Sequence, residues 1–268
     1  MSSEFLFELL VRSLMVSVTI QSCEFLSLRG QFQPGGFFYE SYTHALLRFL
    51  GKQTLPFEIF RILICFYVFL FPKNFETGIL ICALLALTFA THLRTLGRFN
   101  GGSDSMTWIT LLGVALGYFN WDLRIQKPDF ELSLIFVGVF SLISYFQAGL
   151  SKLASGQWLN GNFFKEGKNL GRVYGKRAET LFNFCAQKFS ESKWVGVTFG
   201  LVVVGFELSS VVVLFSAPFS VIFVVGALFF HLGVFYFFGL NRFFWSWLAT
   251  FPGLLFVGFL EPGLRLLK

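Results

Sequence analysis

Charged residues are scarce in this sequence. Only 13% of the 268 residues are Asp, Glu, Lys or Arg, whereas 55% are hydrophobic and 40 are phenylalanine. Soluble domains carry about 25% charged residues, so the composition excludes an ordinary soluble domain and predicts a polytopic membrane protein with the lipid bilayer as its first partner. The net charge of +6 belongs to the predicted loops. Anionic headgroups are its expected counter-charge, and no nucleic-acid-binding face is predicted.

The motifs of several other protein classes are also missing. The four cysteines are scattered, without a Cys-x-x-Cys pair or a histidine at ligand spacing. Neither a metal site nor a disulfide framework is therefore implied. Gly-rich phosphate loops and nucleophile triads are absent as well. Glu4 and Glu8 stand where a signal peptide has a basic region, and we expect no cleavable signal.

Apolar runs long enough to cross a membrane recur along the whole chain. Eight of them lie near residues 5–28, 56–71, 76–93, 105–121, 130–150, 194–215, 219–238 and 243–260. The first contains Glu8 and Arg12, whose i,i+4 spacing predicts an ion pair, and the second is short for about 30 Å of hydrocarbon. Seven spans are therefore an alternative. We expect an all-α bundle with about eight membrane helices and with interfacial amphipathic helices in the loops 29–55 and 151–193.

Lys152 lies where the fifth apolar run ends. Ser141, Tyr145, Ala148 and Lys152 follow one another at i, i+4, i+7 and i+11. These small and hydroxylated residues share one helical stripe with the lysine, which predicts that the stripe faces protein rather than lipid. A lysine in this position is either a functional group or an anchor that snorkels to headgroups, and the spacing leaves both open.

Further ionisable side chains lie within or at the ends of the predicted spans: His92, Asp104, Glu207 and His231. Such residues are functional candidates at membrane depth. His231 lies eight residues before Gly239, about 12 Å deep, and Glu207 lies about 20 Å from the same side. We expect a one-sided polar funnel with Lys152 and Asp104 at its mouth, His231 below them and Glu207 at its floor.

Each candidate also has a structural interpretation. Asp104 follows Gly-Gly-Ser and has the sequence context of a helix N-cap. His92, next to two arginines, is typical of an interfacial side chain. Glu207 could hydrogen-bond across helices, and His231 could be a buried imidazole with its hydrogen bonds satisfied.

Two segments carry a resemblance to a known family. Residues 148–153 read Ala-Gly-Leu-Ser-Lys-Leu and are followed by Trp158, and Phe230–His231 is followed by Phe238–Gly239, Phe243, Leu248–Ala249 and Pro252. In this order the segments resemble the HTTM family, the membrane domain of vitamin K-dependent gamma-glutamyl carboxylases, in which Ala-Gly-x-x-Lys-Leu and a later Trp end a membrane helix. The resemblance is best over residues 108–256.

The resemblance implies a function. Lys152 matches the lysine that deprotonates a reduced quinone, and His231 matches the histidine of the later helix, so both are catalytic candidates. Tyr145, Asp104, Glu207 and His92 become candidates for binding the substrate or the quinone. The implied protein is a quinol-dependent, carboxylase-like lyase or oxidoreductase of a bacterial plasma (inner) membrane. Its cofactor would be a reduced quinone similar to vitamin K hydroquinone, and no metal is implied.

The sequence departs from the family in two places. The Asn-His pair of the family is replaced by Gly102-Ser103-Asp104. Residues 1–268 are expected to form a single HTTM-like membrane domain without the extramembrane carboxylase domain. These departures favour the alternative that the protein is a non-catalytic membrane partner subunit or a small transporter that keeps the fold. A membrane or extracytoplasmic protein would then be its partner.

The orientation in the membrane is predicted differently by charge and by resemblance. Most Lys and Arg residues fall in the loops 29–55, 94–104, 151–193 and 240–242. The positive-inside rule makes that side cytoplasmic. The family resemblance implies the opposite side, because the lysine of the family works from the lumenal or extracytoplasmic face.

Overall fold

The structure is a computed structural model that describes residues 2–95, 101–120, 128–161, 163, 176–191 and 193–260. Its α-helices are, in chain order, α1 (Ser3–Ser27), α2 (Phe37–Glu40), α3 (Ala45–Lys52), α4 (Thr54–Leu70), α5 (Phe75–Arg94), α6 (Gly101–Phe119), α7 (Phe130–Ser155), α8 (Lys176–Glu191), α9 (Lys193–Leu208), α10 (Ala217–Phe238), α11 (Asn241–Leu248) and α12 (Phe251–Phe259). Arg29–Phe32 and Ser209–Phe215 are 3₁₀ helices. The described residues contain no strand, which confirms the all-α prediction.

Fewer helices than expected have the length and apolarity of a membrane span. Among the described residues these are Phe75–Arg94, Phe130–Ser155, Trp194–Phe215 and Ala217–Tyr236. A fifth is present if α3 and α4, bent by 63°, count as one broken span. The eighth predicted span, at 243–260, is two short helices rather than one. The break falls just before α12, where Pro252 has no N–H to continue the ladder from α11.

The chain divides into two compact units. The first comprises Met1–Gly138 and Trp245–Phe256, and the second comprises Val139–Phe244 and Val257–Lys268. In the first unit α1 packs against α4 and α6, and α5 packs against α4 and α6. The core-facing side of α1 is buried at i, i+3 and i+4 spacing, through Leu6, Phe7, Leu10, Val11 and Leu14. This helix is therefore the centre of its unit.

The charges near the start of α1 are paired. Arg12 lies 3.0 Å from Glu8, which confirms the pair predicted from the i,i+4 spacing. Lys73, in the turn before α5, lies 2.7 Å from Glu4 and 2.8 Å from Glu8. The hydrogen bond to Glu4, followed by that to Glu8, raises the pKa of Lys73. Pairing of this kind lets a helix with several charged residues remain in an apolar protein.

In the second unit the boundaries of α10 follow local sequence signals. The Ser216 side chain accepts a hydrogen bond from the Phe219 amide at 3.3 Å and caps the N-terminus, where Pro218 occupies the first turn. At the other end Gly239 adopts a left-handed conformation with φ of 66°, and its amide donates to the Phe235 carbonyl. This glycine C-cap confirms Gly239 as the end of the seventh predicted run.

Candidate functional site

Lys152 and Glu207 form the central contact of the second unit. The Lys152 Nζ atom lies 2.7 Å from Oε1 and 2.8 Å from Oε2 of Glu207, so the ammonium group donates to both carboxylate oxygens. The lysine side chain is 22% exposed, whereas the glutamate side chain is 4% exposed. The pair therefore has one nearly buried partner and one partner that a small molecule can reach.

Two neighbours of Lys152 position this pair. Gly149 lies three residues earlier on α7, and a Cβ atom there would stand 3.0 Å from the Leu208 side chain, next to Glu207. The absence of a side chain at Gly149 therefore allows the close approach of α9 that brings Glu207 to the lysine. On the other side, the Nζ atom lies 5.5 Å from the ring centroid of Trp158, within the range of a cation–π contact. Trp158 in turn stacks on Phe163 with the ring centroids 3.8 Å apart.

A second polar pair lies on the same stripe of α7. The Tyr145 hydroxyl and Nε2 of His231 are 2.6 Å apart and share a hydrogen bond. Both residues are buried, and the Tyr145 ring packs edge-on against Phe223 at 5.1 Å between centroids. Ser141, one turn before Tyr145, is also buried, so this part of the stripe faces protein as predicted. The structure thus joins α7 to α10 through two residues that the sequence singled out.

The predicted order of depth is wrong for Lys152 and Glu207. The funnel placed Lys152 at the mouth and Glu207 at the floor, but their side chains are in direct contact. The reason is that α7 continues to Ser155, past the end of the apolar run, and the lysine turns to a carboxylate on α9. The ammonium group of Lys152 is held by Glu207, and its interpretation as a snorkelling anchor stays a prediction.

Sequence reasoning missed a buried charge network in the first unit. Glu58 and Arg61, three residues apart on α4, form an ion pair of 2.8 Å with both side chains 0% exposed. The same carboxylate contacts the buried Arg94 guanidinium from the end of α5. The i,i+3 spacing of an acid and a base inside an apolar run was the signal that could have found it.

Gln21 links this network to Asp104. Its Oε1 atom accepts from Arg61 at 2.6 Å, and its Nε2 atom donates to Oδ1 of Asp104 at 2.7 Å. The N-cap interpretation of Asp104 is wrong, because α6 begins at Gly101 and places Asp104 inside the first turn. Asp104 and His92 both line one cavity of the first unit, with a volume of about 350 Å³.

No three His, Cys, Asp or Glu side chains in the described part of the chain could hold a metal ion together. The polar groups that the structure brings together in the second unit are an amine, a carboxylate, a phenol and an imidazole. These groups exchange protons and hydrogen-bond to oxygen. The chemistry that they can perform is therefore proton transfer and the binding of a polar oxygen.

Comparison with protein-family models, with curated proteins and with solved structures finds no significant match to this chain. The resemblance to the HTTM family therefore stays a prediction. The assignment of a function has to rest on the geometry of the two pairs on α7.

Proposed function

We propose that this protein is a multi-pass membrane enzyme that removes a proton from a lipid-soluble quinol, with Lys152 as the base and Glu207 as its proton partner. The observation that carries the proposal is the Lys152–Glu207 contact, in which a 22% exposed amine is held on both oxygens of a nearly buried carboxylate. A lysine that served only as a surface anchor would have no need of an acidic partner. An acidic partner gives the lysine proton a place to go before the amine accepts another.

The pair can reach the reactive state without an outside proton acceptor. A lysine is a base only as the neutral amine. Transfer of one proton from the ammonium group to Glu207 gives a neutral amine and a neutral carboxylic acid. An apolar environment penalises charged groups, so it penalises this neutral pair less than the ion pair. The free amine can then take the proton of a substrate hydroxyl, which a quinol supplies together with an oxidisable ring.

Tyr145 and His231 would bind another part of the substrate. Tyr145 lies seven residues before Lys152 on the same face of α7, which separates their backbones by about 10 Å. The phenol and imidazole are therefore assigned to hold or polarise a ring oxygen at some distance from the base.

The membrane arrangement is part of the proposal. The four candidate spans are only 22–44% buried within the chain, and large apolar side chains such as Ile79, Ile222 and Phe229 remain more than 60% exposed. Exposed apolar surface of this extent supports a lipid cover. With α1, α4, α6 and the α11–α12 pair, these spans would complete an HTTM-like bundle of about eight membrane segments in a bacterial plasma membrane. Helices α3 and α8 would lie at its surface.

The alternative is a non-catalytic membrane partner subunit or small transporter. The observation that favours it is the same ion pair, because an ammonium group that donates to both oxygens of a carboxylate also clamps α7 to α9. A clamp needs charge and reach but no proton transfer. Exchange of lysine for arginine separates the two roles.

The experiment compares purified wild type with Lys152→Arg and Lys152→Met in detergent, using the oxidation of a reduced naphthoquinone in oxygenated buffer as the assay. Arginine retains the charge and can bind both Glu207 oxygens, but it stays protonated. We expect Lys152→Arg to melt like wild type and to lose about a hundredfold or more in kcat, the range of a general base. Lys152→Met should lose turnover and also melt lower, because Glu207 loses its partner.

Full turnover by Lys152→Arg would refute the role of Lys152 as base. Wild-type protein without turnover would favour the non-catalytic alternative. Extraction of the same samples followed by mass spectrometry shows whether wild type retains a bound quinone.

A further inference from the structure

We propose that the cavity of the first unit binds a lipid-soluble ring compound through a hydroxyl group that the ligand donates to Asp104. The cavity has a volume of about 350 Å³ and is lined by residues from α1, α5 and α6. Ligand pockets measure roughly 300 to 1,000 Å³, so a compound of one or two fused rings is the size that fits.

The hydrogen-bonding character of the polar end is determined by its neighbours. Arg61 has only donors, so the Gln21 oxygen must face it, and the structure places that oxygen 2.6 Å from the guanidinium. The amide nitrogen of Gln21 then points to Asp104, to which it donates at 2.7 Å. Asp104 therefore meets Gln21 as an acceptor. A carboxylate accepts at about four positions, so the same group can accept from a ligand.

The network already contains buried charges of both signs. Arg61 and Arg94 contribute two formal positive charges, and Glu58 and Asp104 contribute two negative charges. All four side chains are buried. A ligand carboxylate beside Asp104 would bring two negative charges together in a buried site, which is costly. A hydroxyl group supplies the required donor without adding charge.

The walls and the entrance fit a flat apolar body. Phe25 lies 1% exposed inside the cavity, whereas Phe89 and Trp108 line it with 50% and 36% of their surfaces exposed. These two rings mark the opening. Phe89 lies near the end of α5, which is a candidate membrane span. A compound dissolved in the bilayer could therefore enter between the aromatic rings and place its hydroxyl group against Asp104.

This site does not depend on the chemistry proposed for Lys152. A hydroxylated ring compound would bind here whether or not the second unit is catalytic. The test therefore measures binding alone, so that its failure leaves the proposed function to be judged by turnover.

The experiment uses the full chain in detergent micelles and two probes that differ only in the donor: 2-naphthol and its methyl ether, 2-methoxynaphthalene. Equilibrium dialysis against protein-free micelles removes the contribution of partitioning. Besides any molecule held near Lys152, we expect wild type to bind one 2-naphthol per chain at least about tenfold more tightly than the ether, since a hydrogen bond to a charged group is lost in the ether. Asp104→Asn should abolish this preference.

The position of the site is tested with Ile109→Trp, which fills the cavity and should remove this one site for both probes. Ile79→Trp is the matched control, because Ile79 is 63% exposed on α5 and does not line the cavity. Equal affinity of wild type for the two probes, absence of saturable binding, or unchanged binding by Ile109→Trp would each overturn the proposal. The probes and Ile109→Trp decide the question even if Asp104→Asn does not fold.

Discussion

Substitution of Glu58 by glutamine is expected to destabilise the first unit strongly. The Glu58 carboxylate accepts from Arg61 at 2.8 Å and contacts Arg94, and all three side chains are at most 1% exposed. Glutamine keeps the size of the side chain but removes the negative charge. The guanidinium groups of Arg61 and Arg94 would then lose the negative charge that compensates them. Asp104, which Gln21 connects to Arg61, would be the acidic residue left in the network.

The size of the effect follows from this burial. Removal of one partner from a buried ion pair costs about 3 to 5 kcal/mol. At 1.4 kcal/mol for each factor of ten, the equilibrium constant for opening rises by roughly two to four powers of ten. The cost is that of an uncompensated buried charge, because the volume of the side chain hardly changes.

The thiol of Cys65 reports this opening directly. Cys65 is 1% exposed and lies two turns after Glu58 on α4. In a chain whose other three cysteines are replaced by alanine, a thiol reagent can label Cys65 only when the helix opens. When closing is fast relative to labelling, the rate follows the opening equilibrium. We expect Glu58→Gln to be labelled at least about a hundredfold faster than its parent.

Glu8→Gln is the matched control. Its partners Arg12 and Lys73 are 43% and 40% exposed, so the loss of charge should cost at most about 1 kcal/mol, a factor of about five in labelling. Equal acceleration by Glu8→Gln and Glu58→Gln, or less than tenfold acceleration by Glu58→Gln, would refute the assignment of this network as a buried charge cluster.

Two further substitutions test packing and pH dependence. Gly200→Ala should lower the stability measured in thermal melts by about 1 to 3 kcal/mol, because the new Cβ atom would collide with the Trp158 carbonyl. Gly205→Ala on the same helix is the control. Its Cβ atom meets open space, so this substitution should be neutral or slightly stabilising. Tyr42 is buried, and burial raises its pKa from 10.0 to about 12. Its unfolded phenol ionises first, so the stability of wild type relative to Tyr42→Phe should be constant below about pH 10 and decline between pH 10 and 12. An unchanged difference across that range would contradict this account of Tyr42.

Part of the candidate site could be predicted from the sequence. Lys152, Glu207, Tyr145 and His231 were all recognised, because ionisable or hydroxylated groups in apolar runs are rare and need partners. Their pairing was not predicted. Helical spacing tells which residues share a face of one helix, but the register of α7 against α9 depends on packing at Gly149 and Leu208, which no pattern along a single helix contains.

Of the eight spans predicted from the sequence, four helices among the described residues have the length and apolarity of a membrane span. An apolar run indicates that a segment avoids water, but lipid and the protein interior are both dry. The core side of α1 is buried within the first unit, and the run at 243–260 is two helices with a break before Pro252. Hydropathy alone does not separate a helix that faces lipid from one that faces other helices.

The two charge clusters differ in the property that matters for chemistry. Glu58, Arg61 and Arg94 are at most 1% exposed, and their charges compensate one another inside the first unit. Lys152 is 22% exposed, whereas its partner Glu207 is nearly buried. The lysine is therefore open to a ligand, and the glutamate can hold a proton away from water. Burial of both members would add a desolvation cost and would close the pair to a ligand. The difference in exposure between the two partners, rather than the presence of charge, therefore makes Lys152 the candidate base.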